Sequence, residues 1–247
     1  MISTAASVLG QQVEVVVASQ PRRLEISLAS SLSDLLGSFK ILYQAYIRAG
    51  LVNENKQQVR LTPFHLLPST EVVIAKLEET VTSTLTMVSD SPAGLPMDNM
   101  YHEELKGIRQ SSIRLAEIGC LADRRQSPVR FVKVFGELAR LAVQVASSRG
   151  IGALVVATHP RHAGFYTRSF GFEQFGGIKG CPYVKGNPAV AMILNFDRIR
   201  GTALYDCLFG NPFEETLLTR EPFDDAVLAY LRSLLDSTAG VESTVDA

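Results

Sequence analysis

The chain has no tryptophan, only three cysteines, and no apolar run approaching the roughly 20 residues that span a bilayer. Cys120, Cys181 and Cys207 are odd in number, widely spaced and free of any C-x-x-C, a pattern that excludes a disulfide framework and a cysteine-based zinc site. The N-terminus carries neither the basic start nor the small-residue cleavage site of a secretory signal, so a reducing, cytoplasmic setting is expected. An excess of either charge is also missing. Lys and Arg number 24 against 25 Asp and Glu, a net charge of −1, whereas a general nucleic-acid binder needs a basic surplus. There is no Walker motif and no G-x-S-x-G, and Gly150-Ile-Gly152 precedes a strand pattern where a dinucleotide loop would follow one.

What is present is a chain of 247 residues that is 46% hydrophobic, enough for one well-buried core or at most two small ones. Its near-neutral total hides a polarity along the chain. Residues 1–119 carry 10 basic and 12 acidic groups, residues 120–185 carry 10 and 3, and residues 186–247 carry 4 and 10. The middle block is therefore basic and the last one acidic.

Periodicity supplies the elements. Val13 to Ala18 is a β-branched run. Ser33 and Asp34 are candidate caps for an amphipathic helix through Leu35, Phe39, Leu42 and Tyr46 that ends at Gly50. Glu71 to Lys76 and Ser83 to Val88 read as a hairpin around Glu78-Glu79-Thr80, and Asp90 to Pro96 as a loop. Helices are expected at Asp98 to Gln110, Val129 to Ser148 and Arg161 to Ser169, with strands at Ile113 to Leu121, Ala153 to Thr158, Phe172 to Lys179 and Ala189 to Asn195. Two helical stretches follow, Asp197 to Leu208 and Phe223 to Leu235. This order defines a mixed α/β fold with a partly parallel sheet.

The stretch His159-Pro-Arg-His-Ala-Gly-Phe-Tyr-Thr-Arg-Ser-Phe-Gly-Phe172, directly after a buried strand, resembles the signature of the GNAT acyltransferase superfamily. Thr84 to Met97, Arg114 to Ala122 and the Tyr-Gln-Ala-Tyr of the first helix are similar to long-chain N-acyl amino acid synthases, relatives of the acyl-homoserine-lactone synthases. The likeness covers about residues 13–197, leaving 1–12 as a flexible N-terminus and 198–247 as a helical extension with a disordered tail. It implies a GNAT fold and an acyltransferase. Two departures matter. The Arg/Gln-x-x-Gly-x-Gly/Ala loop that cradles coenzyme A is absent after Leu121, which makes acyl-coenzyme A the less favoured donor. The lactone synthases continue their carboxylate strand as Glu-Leu-Ser-Arg, where this chain has Glu117-Ile-Gly-Cys120.

Moving an acyl group from a thioester to an amine requires a neutral amine, a donor to the oxyanion and an acid for the thiolate. Glu117, among Leu115, Ile118 and Leu121, is the candidate base, since desolvation would raise its pKa; an edge-strand carboxylate facing solvent is the competing reading. The resemblance implies that Tyr166 protonates the leaving thiol, although Thr167 stands at the usual spacing before Gly171. It also implies that Ile118, Gly119, Cys120 and Leu121 bind the pantetheine arm at a strand bulge, with Gly119 suited to the bulge and Phe165 beside the acyl chain. His159, at a strand end, could relay the amine's proton or bind the acceptor's carboxylate. Cys120 with His159 as an acyl-carrying pair, and a metal at His159-x-x-His162, are weaker alternatives, and neither a metal nor a tightly bound cofactor is expected.

Arg124, Arg125, Arg130 and Lys133 lie in the basic block, where the donor's phosphate end should emerge, and suit an acidic acyl carrier protein. Arg48, Arg114 and Arg161 are candidates for the acceptor's carboxylate, and sequence does not choose among them. The expected function is transfer of a medium or long fatty acyl group from the acyl-phosphopantetheine of acyl carrier protein to the α-amine of an amino acid, without nucleic-acid partner or membrane span. A lactone synthase, another small-amine acyltransferase or a non-catalytic carrier-binding module are the alternatives.

Overall fold

A computed structural model describes residues 13–17, 20–124 and 131–239. Its elements, in chain order, are β1 (Val13–Val17), β2 (Gln20–Leu28), α1 (Leu32–Arg48), β3 (Thr70–Leu77), β4 (Thr80–Ser89), α2 (Asp98–Arg109), β5 (Leu115–Asp123), α3 (Phe131–Ser148), β6 (Ala153–Thr158), α4 (Pro160–Phe170), β7 (Glu173–Cys181), β8 (Asn187–Asn195), α5 (Phe196–Ile199), α6 (Ala203–Phe209) and α7 (Asp225–Ala239). The strands form one sheet in the order β1-β2-β3-β4-β5-β6-β8-β7. Pairing is antiparallel except between β5 and β6.

That parallel pair decides where the sheet opens. Its register runs only from Leu115↔Ala153 to Glu117↔Val155, although both strands continue beyond it. On its other side β5 pairs with β4, and the register shifts between Thr86↔Gly119 and Thr84↔Ala122, where three steps of β5 oppose two of β4. The extra residue is a β-bulge, which bends and twists β5 away from β6. The left-handed residue there is Cys120, with φ of 51°, and not Gly119. For a residue with a Cβ this conformation costs about 1–2 kcal/mol, supplied by the surrounding sheet.

Helices cover both faces. α3 and α4 lie on one, burying Phe135, Leu138, Leu141 and Val145 against Ala116, Ile118, Leu154 and Met192. α1 and α2 lie on the other. α1 packs Leu35, Phe39 and Leu42 on Val72 and Ile74 of β3, and α2 packs Tyr101 and Leu105 on Val155 and Ala191. Tyr101 fits only because residue 176 is glycine, since a Cβ there would lie 2.7 Å from the tyrosine ring. No helix among the described residues is long and apolar enough to cross a membrane.

The first helix is capped by Ser31, whose Oγ accepts from Asp34 N at 3.1 Å, while Asp34 Oδ2 accepts from Ser30 N at 3.2 Å. The cap is thus earlier than Ser33 or Asp34, because the reciprocal pair satisfies two otherwise orphaned backbone donors. Residues 197–208 are not one helix. Gly201, with φ of 76°, separates α5 from α6. The C-terminal segment is built into the body of the molecule: Gln144 Nε2 donates to Leu208 O at 2.8 Å, Phe213 N donates to Gln144 Oε1 at 2.8 Å, and Leu231 of α7 is buried with α1. Near its start, Arg220 Nε donates to buried Glu71 Oε2 at 2.6 Å, and Arg149 Nη2 reaches Glu71 Oε1 at 2.5 Å.

Candidate active site

Where β5 and β6 part, a cavity of about 1140 Å³ passes from the α1 and α2 side of the sheet toward α4. This is slightly above the roughly 300–1,000 Å³ of small-molecule sites and suits a donor arm and an acceptor together. Glu117, Gly119, Cys120, Leu121, His159, Phe165 and Tyr166 all line it, as do Arg48 and Arg161 at its periphery.

Glu117 is 7% exposed, at the last position of β5 that pairs with β6. Its Oε2 accepts from Met97 N at 2.7 Å. Burial pushes the carboxyl up to about 8; the Met97 N–H opposes that and the nearby Asp98 charge adds to it. An acid poised near neutral pH is what proton abstraction from an amine requires. The N–H is held in place by the loop before α2. Arg109 bridges Asp90 (Nε to Oδ2, 2.6 Å) and Asp98 (Nη1 to Oδ1, 2.7 Å), and Leu95 N donates to Asp98 Oδ2 at 2.7 Å.

Beyond Glu117 the β6-facing backbone edge of β5 has no strand partner and borders the cavity, as an added strand of substrate backbone would require. Tyr166 reaches the cavity from α4. It is 8% exposed, and its phenol is pushed up to about 12 by burial, with the Thr158 side chain opposing. Phe135, Phe165 and Phe172 surround its ring with centroids 5.4–6.2 Å away. Thr167 is exposed, and α4 stays regular to Phe170 before Gly171 closes it in the left-handed region, so it is Tyr166 that faces the cavity. His159 caps α4, its Nδ1 accepting from Arg161 N at 3.2 Å.

Three predicted residues lie elsewhere or apart. Ile118 points into the core beneath α3, because alternation along β5 sends it to the face opposite Glu117 and Gly119. Arg114 precedes β5 and lines a separate cavity with Asp90 and Ile151, so it cannot hold an acceptor beside Glu117. Lys133 is exposed on α3 outside the cavity lining. Arg124, just after β5, donates its backbone N–H to Thr82 O at 3.0 Å, and Arg125 and Arg130 lie outside the described residues. Among the described residues no group of three or more His, Cys, Asp or Glu is arranged to hold a metal ion.

Sequence reasoning missed the segment between α1 and β3. His65 lines the cavity, and its Nδ1 accepts from Thr62 N at 3.0 Å, leaving Nε2–H to donate to Thr86 Oγ1 at 3.2 Å. Desolvation lowers its pKa to about 4, which keeps the ring neutral. Thr86 pairs with Gly119, and its hydroxyl hydrogen-bonds Cys120. Burial raises the Cys120 thiol, which keeps the sulfur protonated and a poor nucleophile. Arg60 and Tyr46 complete this wall, with the guanidinium carbon 4.7 Å from the ring centroid. Nothing periodic marks residues 60–65; only Tyr46 stood in a sequence pattern.

A sheet parted at one parallel pair, with a buried carboxylate on one side of the gap and a phenol on the other, is the frame of a GNAT-type acyltransferase. The model of one family, FeeM, N-acyl amino acid synthase, matches residues 37–195, and the chain belongs to that family. No curated protein matches. Among solved structures, FeeM from uncultured soil microbes shares 24% identity and a TM-score of 0.65 over 74% of this chain and 96% of its own. The acyl-homoserine-lactone synthase LasI shares 17% and 0.59 over 78% and 96%, and the CoA-dependent lactone synthase BjaI 13% and 0.56 over 84% and 98%.

Proposed function

We propose that this acyltransferase moves a medium or long fatty acyl group from the phosphopantetheine thioester of an acyl carrier protein to the α-amine of an amino acid. The observation that carries the reading is the parting of β5 from β6 immediately after Glu117, which opens a large cavity with the carboxylate and Tyr166 on its two sides. The pantetheine arm lies along the open edge of β5, where a backbone N–H of the bulge donates to the thioester carbonyl oxygen. Glu117 takes a proton from the acceptor's ammonium. The neutral amine attacks the carbonyl carbon, and the tetrahedral oxyanion gains strength from the same N–H. On collapse the C–S bond breaks, the phenol of Tyr166 protonates the departing thiolate and recovers its proton from the nitrogen, which loses its second proton as the amide forms. The amide and the carrier's free thiol leave, and Glu117 returns its proton to water. A phenol matches a thiol in acidity far better than a carboxylic acid does.

The donor reading rests on charge. Phe131, at the start of α3, lines the cavity, and the exposed Val132 and Lys133 that follow it extend a mixed basic and apolar surface suited to an acidic carrier, with half-buried Arg124 just after β5. Beside the fatty chain stands Phe165, which lines the cavity and packs on the buried rings of Phe135 and Phe170. Incubation with acyl carrier protein thioester, or with the matching acyl-coenzyme A, and a mixture of amino acids should give N-acyl amino acids by mass spectrometry, with the carrier thioester consumed faster. Products only from coenzyme A would overturn the donor assignment. Lactone products, or amides only of amines without a carboxylate, would overturn the acceptor.

A further inference from the structure

We infer that Arg60 forms the subsite for the acceptor's α-carboxylate, an inference that rests on the amino-acid acceptor proposed above. The partners of the inner arginines make the case. Arg109 is paired with Asp90 and Asp98, Arg140 with Glu137, and Arg149 and Arg220 with Glu71. Arg60 has no carboxylate partner among the described residues. Of its five N–H donors, one finds an acceptor, Nη2 to Tyr183 O at 2.6 Å, and its Nε is buried without one.

Arg60 is half-buried with its Nε covered, and a partly desolvated guanidinium without a counter-ion is costly. Its position says where the anion comes from. Arg60 lines the same cavity as Glu117, on the wall built by α1, with its cation against the face of Tyr46. Its backbone N–H is fixed to Phe39 O at 3.1 Å, and the Tyr183 carbonyl pins its outer end, so the side chain is oriented before any ligand arrives. Cys120, which lines the same cavity, is within electrostatic reach of both Arg60 and Glu117. An α-amino acid is a zwitterion. Its ammonium goes to the carboxylate of Glu117 and its carboxylate to the guanidinium, and the α-amine is thereby aimed at the open edge of β5.

Arg48 and Arg161, the other arginines lining the cavity, are exposed, where water and salt weaken a single ion pair. Arg48 is also engaged, Nη2 donating to Asp123 O at 3.3 Å. Arg60 therefore distinguishes an amino acid from the amine that remains when its carboxylate is removed.

The test compares the wild-type chain with Arg60→Gln and Arg60→Lys. The substrates are the acyl carrier protein thioester with the amino acid that the wild type acylates fastest, and separately with its decarboxylated amine. Loss of a charged hydrogen bond predicts a KM for the amino acid raised about 10- to 100-fold in Arg60→Gln, an unchanged KM for the thioester, and little change with the amine. Arg60→Lys should recover part of the loss. Far-ultraviolet circular dichroism and a thermal melt separate this from misfolding, and a variant that keeps full rate with the amine is folded by that criterion. Equal losses with amino acid and amine, or an unchanged KM for the amino acid, would overturn the subsite while leaving the amino-acid reaction standing. A wild type that acylates only amines without a carboxylate would overturn that reaction and the subsite with it.

Discussion

Glu71 at the start of β3 and Glu117 in the middle of β5 are both nearly buried, at 3% and 7% exposure, and their surroundings differ in one respect. Glu71 is held by the guanidinium groups of Arg149 and Arg220, which join β3 to the end of α3 and to the approach of α7. Glu117 accepts from a backbone N–H and has no paired cation among the described residues, and it faces a cavity. The first arrangement satisfies a carboxylate and fastens a terminus. The second leaves a carboxyl that gives up and takes back a proton near pH 8. Burial alone makes neither a tie nor a base; the partner decides which.

The strongest way to break this contrast is to exchange charge for amide. Glu117→Gln should cost about 10²–10⁴-fold in kcat, the usual worth of a positioned base, with the fold retained. Glu71→Gln should leave kcat in place and lower stability by about 3–5 kcal/mol, because two arginines lose their counter-ion. Steady-state rates and urea unfolding of the two variants read the difference. If Glu71→Gln abolished turnover at full stability, the division of roles would be wrong.

The pH dependence sharpens it. The rate should rise with pH and level off above about 8, as Glu117 ionises in the folded enzyme. Stability should move the other way. The folded pKa of Glu117 is raised, so its contribution is complete below the ordinary carboxylate range and is lost as pH rises to about 8, at up to about 1.4 kcal/mol per pH unit. His65, whose folded pKa is lowered to about 4, acts oppositely, and its contribution is lost as pH falls from the ordinary histidine range toward 4. Thermal melts of Glu117→Gln should lack the alkaline slope and keep the acidic one.

On the far side of the gap, Tyr166→Phe should slow turnover about 100-fold with a carrier thioester and far less with a thioester of an acidic thiol, which leaves without protonation. Equal slowing of both would make Tyr166 a wall of the acyl pocket. The smallest effect is expected at the surface. Reversing charge at Arg124 and Lys133 should raise the KM for acyl carrier protein about 10-fold at low salt, less at high salt, and leave small acyl thioesters unaffected.

Much of this was legible before folding. Period-3.6 and period-2 patterns marked α1 to α4 and β3 to β8, and the apolar neighbours of Glu117 marked a buried carboxyl. β2 went unread, although Leu24, Ile26 and Leu28 alternate with polar residues, because Pro21-Arg22-Arg23 stands at its start. Gly119 was the natural choice for a bulge, yet Cys120 carries the left-handed turn, since the mismatch between β4 and β5 falls one residue later than composition suggests. Arg60 and His65 sit in a stretch without regular period, and their roles depend on Tyr183, Tyr46 and Thr86, partners up to 123 residues away.

The sequence by itself determined most of the elements, the basic middle block, and the family likeness that joins His159–Phe172 to the strand of Glu117. Those are properties of neighbouring residues: spacing, propensity and charge, all encoded within a turn or two of chain. Only the tertiary structure decided that Ile118 is core and Arg114 belongs to another cavity, that Tyr166 and not Thr167 faces the gap, and that Arg60 stands there without a counter-ion. Those outcomes depend on where the β5 and β6 register ends and on which charges are brought together when water is removed, and neither is a property of any single segment.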